Sequence, residues 1–326
     1  MESSVPCSVT EVTSFRGLQV TGITIDSEGR MFVNFPRWRD DIPFSVAEIC
    51  PNGFRKPYPD LDMNTWEEGD ETTSDTFVCV QSVVARSGKL YVLDTKNPGM
   101  KQLIGTPTIY VFDLKTDRLV HAYPLTESVK SSSYTNDLRI DEKNDKIYLT
   151  DSGVPGLIVV DRETGENYRM LDGHPFTTAE VNHIDAGGKE YVATVHSDGI
   201  ALDEKNDILY FHALTGYTLY GIPTRQLICR EIEEDKIFRM HTPAPDGMLL
   251  DDKGNLYMGD LEKNAIVYLT PDKKEIRTLA EGAPISWPDT FALWNGELYF
   301  TNSRIQEAVG DISELVFPID KIKLPV

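Results

Sequence analysis

Six polar residues recur at one place in a repeated pattern: Thr21, Gln81, Asn136, Asp198, Asp246 and Asp289. Each precedes an apolar stretch that runs into a tight, acidic or glycine-containing turn. If the repeats stand around an axis, these positions form a ring of oxygen acceptors. Three carboxylates and an amide oxygen suit a hard cation such as Ca²⁺, which takes about six to eight oxygen ligands, with Asn136, Asp198 and Asp246 as its candidate ligands. The same acids also suit proton transfer. His196 and His241 stand two and five residues before Asp198 and Asp246, where an imidazole can act as acid or base near neutral pH. The plainer alternative is that the ring residues cap strand ends through local backbone hydrogen bonds.

Around this ring the sequence places groups that could bind an organic molecule. Arg37 and Trp38 follow the inner part of the first repeat, and Trp66, Trp287, His196, His241 and Arg304 fall near other repeat starts. Aromatic walls with a few oriented polar groups are the usual composition of a small-molecule site, and an arginine can hold a developing enolate or phenolate oxygen. Arg37, His196, His241 and Asp246 are the candidate catalytic groups. Thr21, Trp38, Gln81, Asn136, Asp198, Trp287, Asp289 and Arg304 are the candidate substrate contacts. His183 is expected in a loop over the mouth of the ring, and the remaining histidines, His121, His174 and His212, look structural.

The repeats must position these residues. The copies read ITIDSEGRMFVNF from Ile23, VVARSGKLYVLD from Val83, LRIDEKNDKIYLTD from Leu138, IALDEKNDILYF from Ile200, MLLDDKGNLYMGD from Met248 and FALWNGELYFTN from Phe291. Each alternates apolar and polar residues on both sides of a turn rich in residues that tolerate positive φ, the mark of a β-hairpin. Second hairpins follow from Thr108, Gly156 and Ala265. The first blade is completed by FSVAEICPNGFRKPYP and the fourth by TLYGIPTRQLI. The pattern predicts an all-β, six-bladed propeller with four-stranded antiparallel blades around a central channel, a single domain over residues 1–326. The C-terminal ELVFPID is left to pair near the N-terminus and close the ring.

Fifty-two acidic against thirty-two basic residues give a net charge of −20. That charge argues against nucleic acid and anionic membrane surfaces as partners. No apolar run is long enough to span a bilayer. The start, MESSVPCSVTEV, lacks a secretory signal, so the chain as it stands is expected in the cytoplasm, or outside the cell if its N-terminus has been trimmed. Cys7, Cys50, Cys79 and Cys229 lack metal-site spacing and are expected as buried thiols, with two disulfides as the secreted alternative. No nucleophile elbow, phosphate loop or dinucleotide fingerprint is present.

Two resemblances add to this. The segment APDGMLLDDKGNLY around Asp246 resembles the metal-ligand segment of gluconolactonase and senescence-marker-protein propellers, TNDLRID with Asn136 their substrate-side segment, and Asp198 in HSDGIALD a third site. In those enzymes the third ligand is usually Asn and a first-blade Glu completes the set, where this chain has Asp198 and Thr21. A closer resemblance, covering nearly the whole chain, is to the yellow and major royal jelly protein family. It is carried by FPRW, KPYP, VQSVVARSGKLYVLD, YVFDLKTDRLVHAYPL, TNDLRID, YLTDSGVPGLIVVD, MLDGHP and NSR. That resemblance implies a propeller and either binding of small aromatic amines or isomerisation of quinone-like molecules.

The leading expectation is an enzyme of specialised metabolism that isomerises or cyclises, in the manner of a hetero-Diels–Alder closure, an unsaturated aromatic or quinone-methide-like substrate at the channel mouth. It needs no cofactor. The alternatives are a lactone hydrolase dependent on Ca²⁺ or another divalent cation, and a carrier of aromatic amines or hydrophobic metabolites. In each case the partner is a small hydrophobic or aromatic molecule.

Overall fold

In the computed structural model, which describes residues 8–73 and 75–325, six four-stranded antiparallel sheets stand around a central axis. The innermost strands, in chain order, are Gly22–Ile25, Val80–Arg86, Thr135–Asp141, Ser197–Asp203, Met248–Leu250 and Pro288–Trp294. Each is the first strand of a repeat and pairs through its predicted turn with the second. The turns of the third and fourth blades work alike. Asp141 accepts from the backbone and side chain of Asn144, and Asp203 does the same with Asn206. The acidic turn residues are thus structural as well as solubilising.

Between adjacent blades, alternate side chains bury apolar surface. Phe32, Val46, Tyr58, Val83 and Phe112 join the first two blades, and Leu93, Ile109, Leu138, Leu149 and Ile158 join the next pair. The core is therefore a set of wedges around the channel, and the channel itself keeps polar residues.

Three details depart from expectation. The ring closes in the opposite sense: the C-terminal strand Val316–Lys323 is the third strand of the last blade, and the N-terminal strand Val9–Arg16 adds as its outermost strand. The strand that includes most of ELVFPID pairs where it does because its Ile322 shares an apolar cluster with Leu298 and Phe300 of the neighbouring strand. In the fourth blade TRQLI is not strand; Thr224–Cys229 form a short helix after Thr218–Pro223, and Phe238–His241 supply the outer strand. Cys229 ends that helix exposed, whereas Cys79 is buried and Cys50 half-buried, all three as free thiols; Cys7 lies outside the described residues. Finally, a hairpin of His183–Ala186 and Lys189–Val192 is inserted between the third and fourth blades as a separate two-stranded sheet.

Candidate functional site

The ring residues are aimed by β-bulges. In four blades the pairing of the innermost strand slips at the ring position: Val80/Ser82, Thr135/Leu138, Ser197/Ile200 and Pro288/Phe291. A bulge leaves its extra residues off the ladder and re-aims them, so Gln81, Asn136, Asp198 and Asp289 turn to the channel. Glycine allows the closest approach. A Cβ on Gly199 would lie 2.7 Å from the Asp246 carbonyl, and one on Gly247 would lie 2.2 Å from that of Asp289. The inner strands of the fourth, fifth and sixth blades consequently converge just where Asp198, Asp246 and Asp289 project.

In the second, third and sixth blades, residues at the end of the second strand anchor the chain entering the ring. Asp94 accepts from the amides of Val78 and Cys79, Asp151 from that of Tyr134, and Asn302 from that of Ser286. These residues close the motifs LYVLD, IYLTD and LYFTN, so the repeats carried the signal, although the ring positions alone did not reveal it.

A continuous hydrogen-bond chain crosses the upper channel. The Trp38 indole donates to the Tyr134 hydroxyl (2.6 Å), which donates to Gln81 Oε1 (2.7 Å). Gln81 Nε2 donates to Asn136 Oδ1 (3.2 Å), and Asn136 Nδ2 to Asp198 Oδ2 (2.6 Å). Asp198 is in turn hydrogen-bonded to Asp246, which accepts the Trp287 indole N–H at 2.6 Å. Tyr134 was absent from the sequence expectations; a tyrosine two residues before the ring Asn is its only trace there.

Asp198 and Asp246 are 3% and 8% exposed, so water stabilises their charges poorly. Burial, then the charges of Asp246 and Asp289, holds the Asp198 carboxyl well above the usual range. Burial first, opposed by the Trp287 hydrogen bond, pushes Asp246 up to about 7. Asp289 is raised by burial and by Asp246. Two carboxyls in contact cannot both ionise cheaply, and the physical picture is a neutral Asp198 donating its proton to Asp246. Above them, Tyr191 of the inserted hairpin packs edge-on to Trp287, ring centres 4.9 Å apart, and Ile184, Ala186 and Leu214 complete an apolar roof.

Deeper in the channel, Asp137 accepts from Ser82 (2.6 Å) and pairs with Arg139 (2.8 Å), whose Nη2 reaches across to the Met248 carbonyl at 2.8 Å. This bridge lies between the ring and the lower, turn-side mouth, a cavity of about 830 Å³. On the upper side, a cleft of about 920 Å³ is walled by Arg37, Trp38, Arg39 and Trp66.

The structure therefore divides the expected residues. Gln81, Asn136, Asp198 and Asp246 form one connected group, which Trp38 and Trp287 join from either side. Asp289 bonds Thr290 and approaches Asp246, and Thr21 accepts from Asn34 at the first blade (3.1 Å). Arg37, Trp38 and Trp66 share the upper cleft. His196, kept neutral by burial, accepts the Ala179 amide and stands apart. His241 lies exposed on the outer strand of the fourth blade, because the five residues before Asp246 carry the chain from blade edge to channel. Arg304 turns to the Val316 carbonyl and Glu307. His183 is exposed on the hairpin strand, and the single pocket expected of all these aromatics and histidines is not formed.

This is a six-bladed propeller with a buried carboxyl pair in its channel and an aromatic cleft beside it. The family model for major royal jelly proteins matches residues 79–315, and the chain belongs to that family. It is 24% identical over 190 residues to major royal jelly protein 3 of Apis mellifera, covering 56% of this chain and 34% of that one. It is 29% identical over 254 residues to protein yellow of Drosophila melanogaster, covering 69% and 43%. The chain thus spans about a third to a half of the length of these curated relatives. Among solved structures, a gluconolactonase from Xanthomonas campestris superposes with a TM-score of 0.58 at 12% identity, over 99% of this chain and 96% of that one; that likeness concerns fold alone.

Proposed function

We propose that this protein is a small-molecule enzyme that isomerises or cyclises an unsaturated aromatic or quinone-methide-like substrate at the upper end of the channel. The observation that carries this is the Asp198–Asp246 pair: one carboxyl held neutral, its partner poised near neutrality, both shielded from water. A neutral buried carboxylic acid is a hydrogen-bond donor at pH 7, and aimed at a carbonyl or quinone-methide oxygen it stabilises the charge that develops there. Asp246, ionised, accepts a proton from carbon, and Asp198 supplies one to oxygen, so a tautomerisation balances without any other reactant. In a hetero-Diels–Alder closure, Asp198 would serve as the activating donor alone, and holding the two reacting ends together supplies the rest.

The test is turnover of a stabilised para-quinone methide with an enolisable side chain, followed by its absorbance. Asp246→Asn is expected to lower kcat/KM by about 10²-fold or more. An unchanged rate in Asp246→Asn sinks the proposal.

One observation favours a second reading, a divalent-metal lactone hydrolase: the crowded acids would be relieved by a cation. Asn136, Asp198 and Asp246 are the residues that would hold it. Yet Asn136 turns its nitrogen toward Asp198, Thr21 stands where a fourth ligand, a carboxylate, is needed, and no three His, Cys, Asp or Glu among the described residues are arranged as a metal site. This donor set falls short of a calcium site. Lactone hydrolysis lost on chelation, with one metal per chain by elemental analysis, would favour this reading instead.

A further inference from the structure

The carboxyl pair is enclosed on every side. Asp198 and Asp246 are 3% and 8% exposed. From below, the Arg139 guanidinium spans the channel to the Met248 carbonyl, and on the cleft side Trp38, Tyr134, Gln81 and Asn136 are tied to one another by hydrogen bonds. A molecule that meets the pair must displace part of this enclosure.

The inserted hairpin is the part held least. Its strands His183–Ala186 and Lys189–Val192 pair only with each other. Among the described residues, positions 182–194 form no hydrogen bond to any blade, and Lys189 makes only a long ion pair with Glu307, at 3.8 Å. What seats the hairpin is one face of alternating side chains. Ile184 and Ala186 of the first strand, and Tyr191 opposite Ile184 on the second, join Leu214, Leu261 and Trp287 in one apolar cluster. His183, Asp185, Glu190 and Val192 on the other face are exposed.

Both legs of the hairpin are pinned at one residue. Thr215, fully buried on the loop after strand Ile208–Ala213, accepts the amides of Glu180 and Val181 at its carbonyl (2.9 and 3.2 Å). Its hydroxyl oxygen accepts the Val195 amide (3.0 Å), and its own amide donates to the Val195 carbonyl (3.3 Å). A cap bonded only at its base can turn about that base without breaking a ladder hydrogen bond, whereas moving any blade strand breaks several. Lids are drawn from such weakly tied elements.

We propose that the hairpin is a lid on the carboxyl pair, swinging about Thr215 to admit a molecule to Asp198 and Asp246 and closing over it with Ile184 and Tyr191. That the molecule is a substrate rests on the isomerase reading; the swing itself does not, since it follows from how the hairpin is attached.

The test is hydrogen exchange of the Trp287 indole in the intact protein, followed by NMR on isotope-labelled tryptophan and assigned with Trp287→Phe. That N–H is hydrogen-bonded to Asp246 at 2.6 Å on a side chain 1% exposed beneath Tyr191, so it exchanges when the cover opens or when the whole fold does. A lid predicts an indole protection factor at least about 100-fold below that of the slowest blade amides, and insensitive to denaturant below the unfolding transition. Ile184→Ala weakens the closed state and is expected to speed indole exchange at least about tenfold. Ile109→Ala, in the core between the second and third blades, should speed the slowest blade amides by at least about tenfold yet leave the indole within about twofold, because it destabilises the closed and open forms alike. Indole exchange as slow and as denaturant-sensitive as that of the slowest blade amides overturns the proposal, as does an unchanged rate in Ile184→Ala or an equal acceleration of indole and blade amides in Ile109→Ala. Absence of turnover would remove the isomerase reading and leave these exchange rates as they are, so the two failures are distinct.

Discussion

At the scale of residues, the decisive feature is a proton shared by two buried carboxyls. Burial raises the folded-state pKa of Asp246 to about 7 from its usual 3.8. For an acid so raised, the folded state binds more protons than the unfolded chain. Stability is therefore greatest below the unfolded value and declines as pH climbs through about 7. Asp246→Asn removes that dependence: it should match the native protein's unfolding free energy near pH 4 and exceed it at pH 8, by chemical denaturation at each pH. A variant less stable than the native protein at pH 8 would mean that Asp246 is held by a favourable charge interaction. The sequence displayed these acids as a ring, and Asn136, Asp198 and Asp246 do adjoin. It did not display which histidines reach them, because His241 is separated from Asp246 by only five residues of chain yet by the width of a blade.

Among elements, the hairpin His183–Val192 matters most, since it roofs the carboxyl pair. Tyr191 rests on Trp287, and burial first, then the nearby Asp246 and Asp198 carboxyls, which are both ionised by the pH at which a tyrosine titrates, push its hydroxyl up to about 12. Tyr191→Ala is expected to admit water, lower the Asp246 pKa and shift the rising limb of the pH–rate profile to lower pH. It should also cost roughly 2–4 kcal/mol of stability, on the scale of other large-to-small changes in partly buried aromatic sites. An unmoved pH limb would show that the roof does not govern the pair. Turn chemistry and runs of Val, Ile, Leu and Tyr announced the blade strands, the second strands of most blades being buried along nearly their whole length. The hairpin and the helix Thr224–Cys229 were not foreseen, because short inserted elements lack the repeat that made the blades visible. The bulges were equally hidden; a one-residue slip leaves alternation on either side intact.

For the whole molecule, closure is the critical event. Strand Val9–Arg16 covers the edge of Val316–Lys323, and Arg55 of the first blade donates to the Ser14 carbonyl and lies 4.4 Å from the Phe15 ring centre. Deleting residues 1–16 exposes that edge and removes Phe15 from the cluster joining the first and last blades. The expected result is a lower melting temperature and association on size-exclusion chromatography; an unchanged melting temperature and elution profile would mean that the ring holds without its N-terminal strand. The six-fold repeat made the architecture legible almost in full, whereas the sense of closure depended on two terminal strands that resemble no repeat. The family to which the chain belongs was legible for the same reason, its motifs being those of the blades.

Proton occupancy of the channel acids, observed by difference infrared spectroscopy between pH 5 and pH 9 in the native protein, Asp198→Asn and Asp246→Asn, tests the account at its centre. The prediction is that protonated carboxyls give carbonyl absorption at pH 7 in the native protein, that Asp198→Asn loses the component due to Asp198 while any from Asp289 remains, and that Asp246→Asn removes a component titrating near pH 7. Fully ionised carboxylates in the native protein at pH 7 would contradict it.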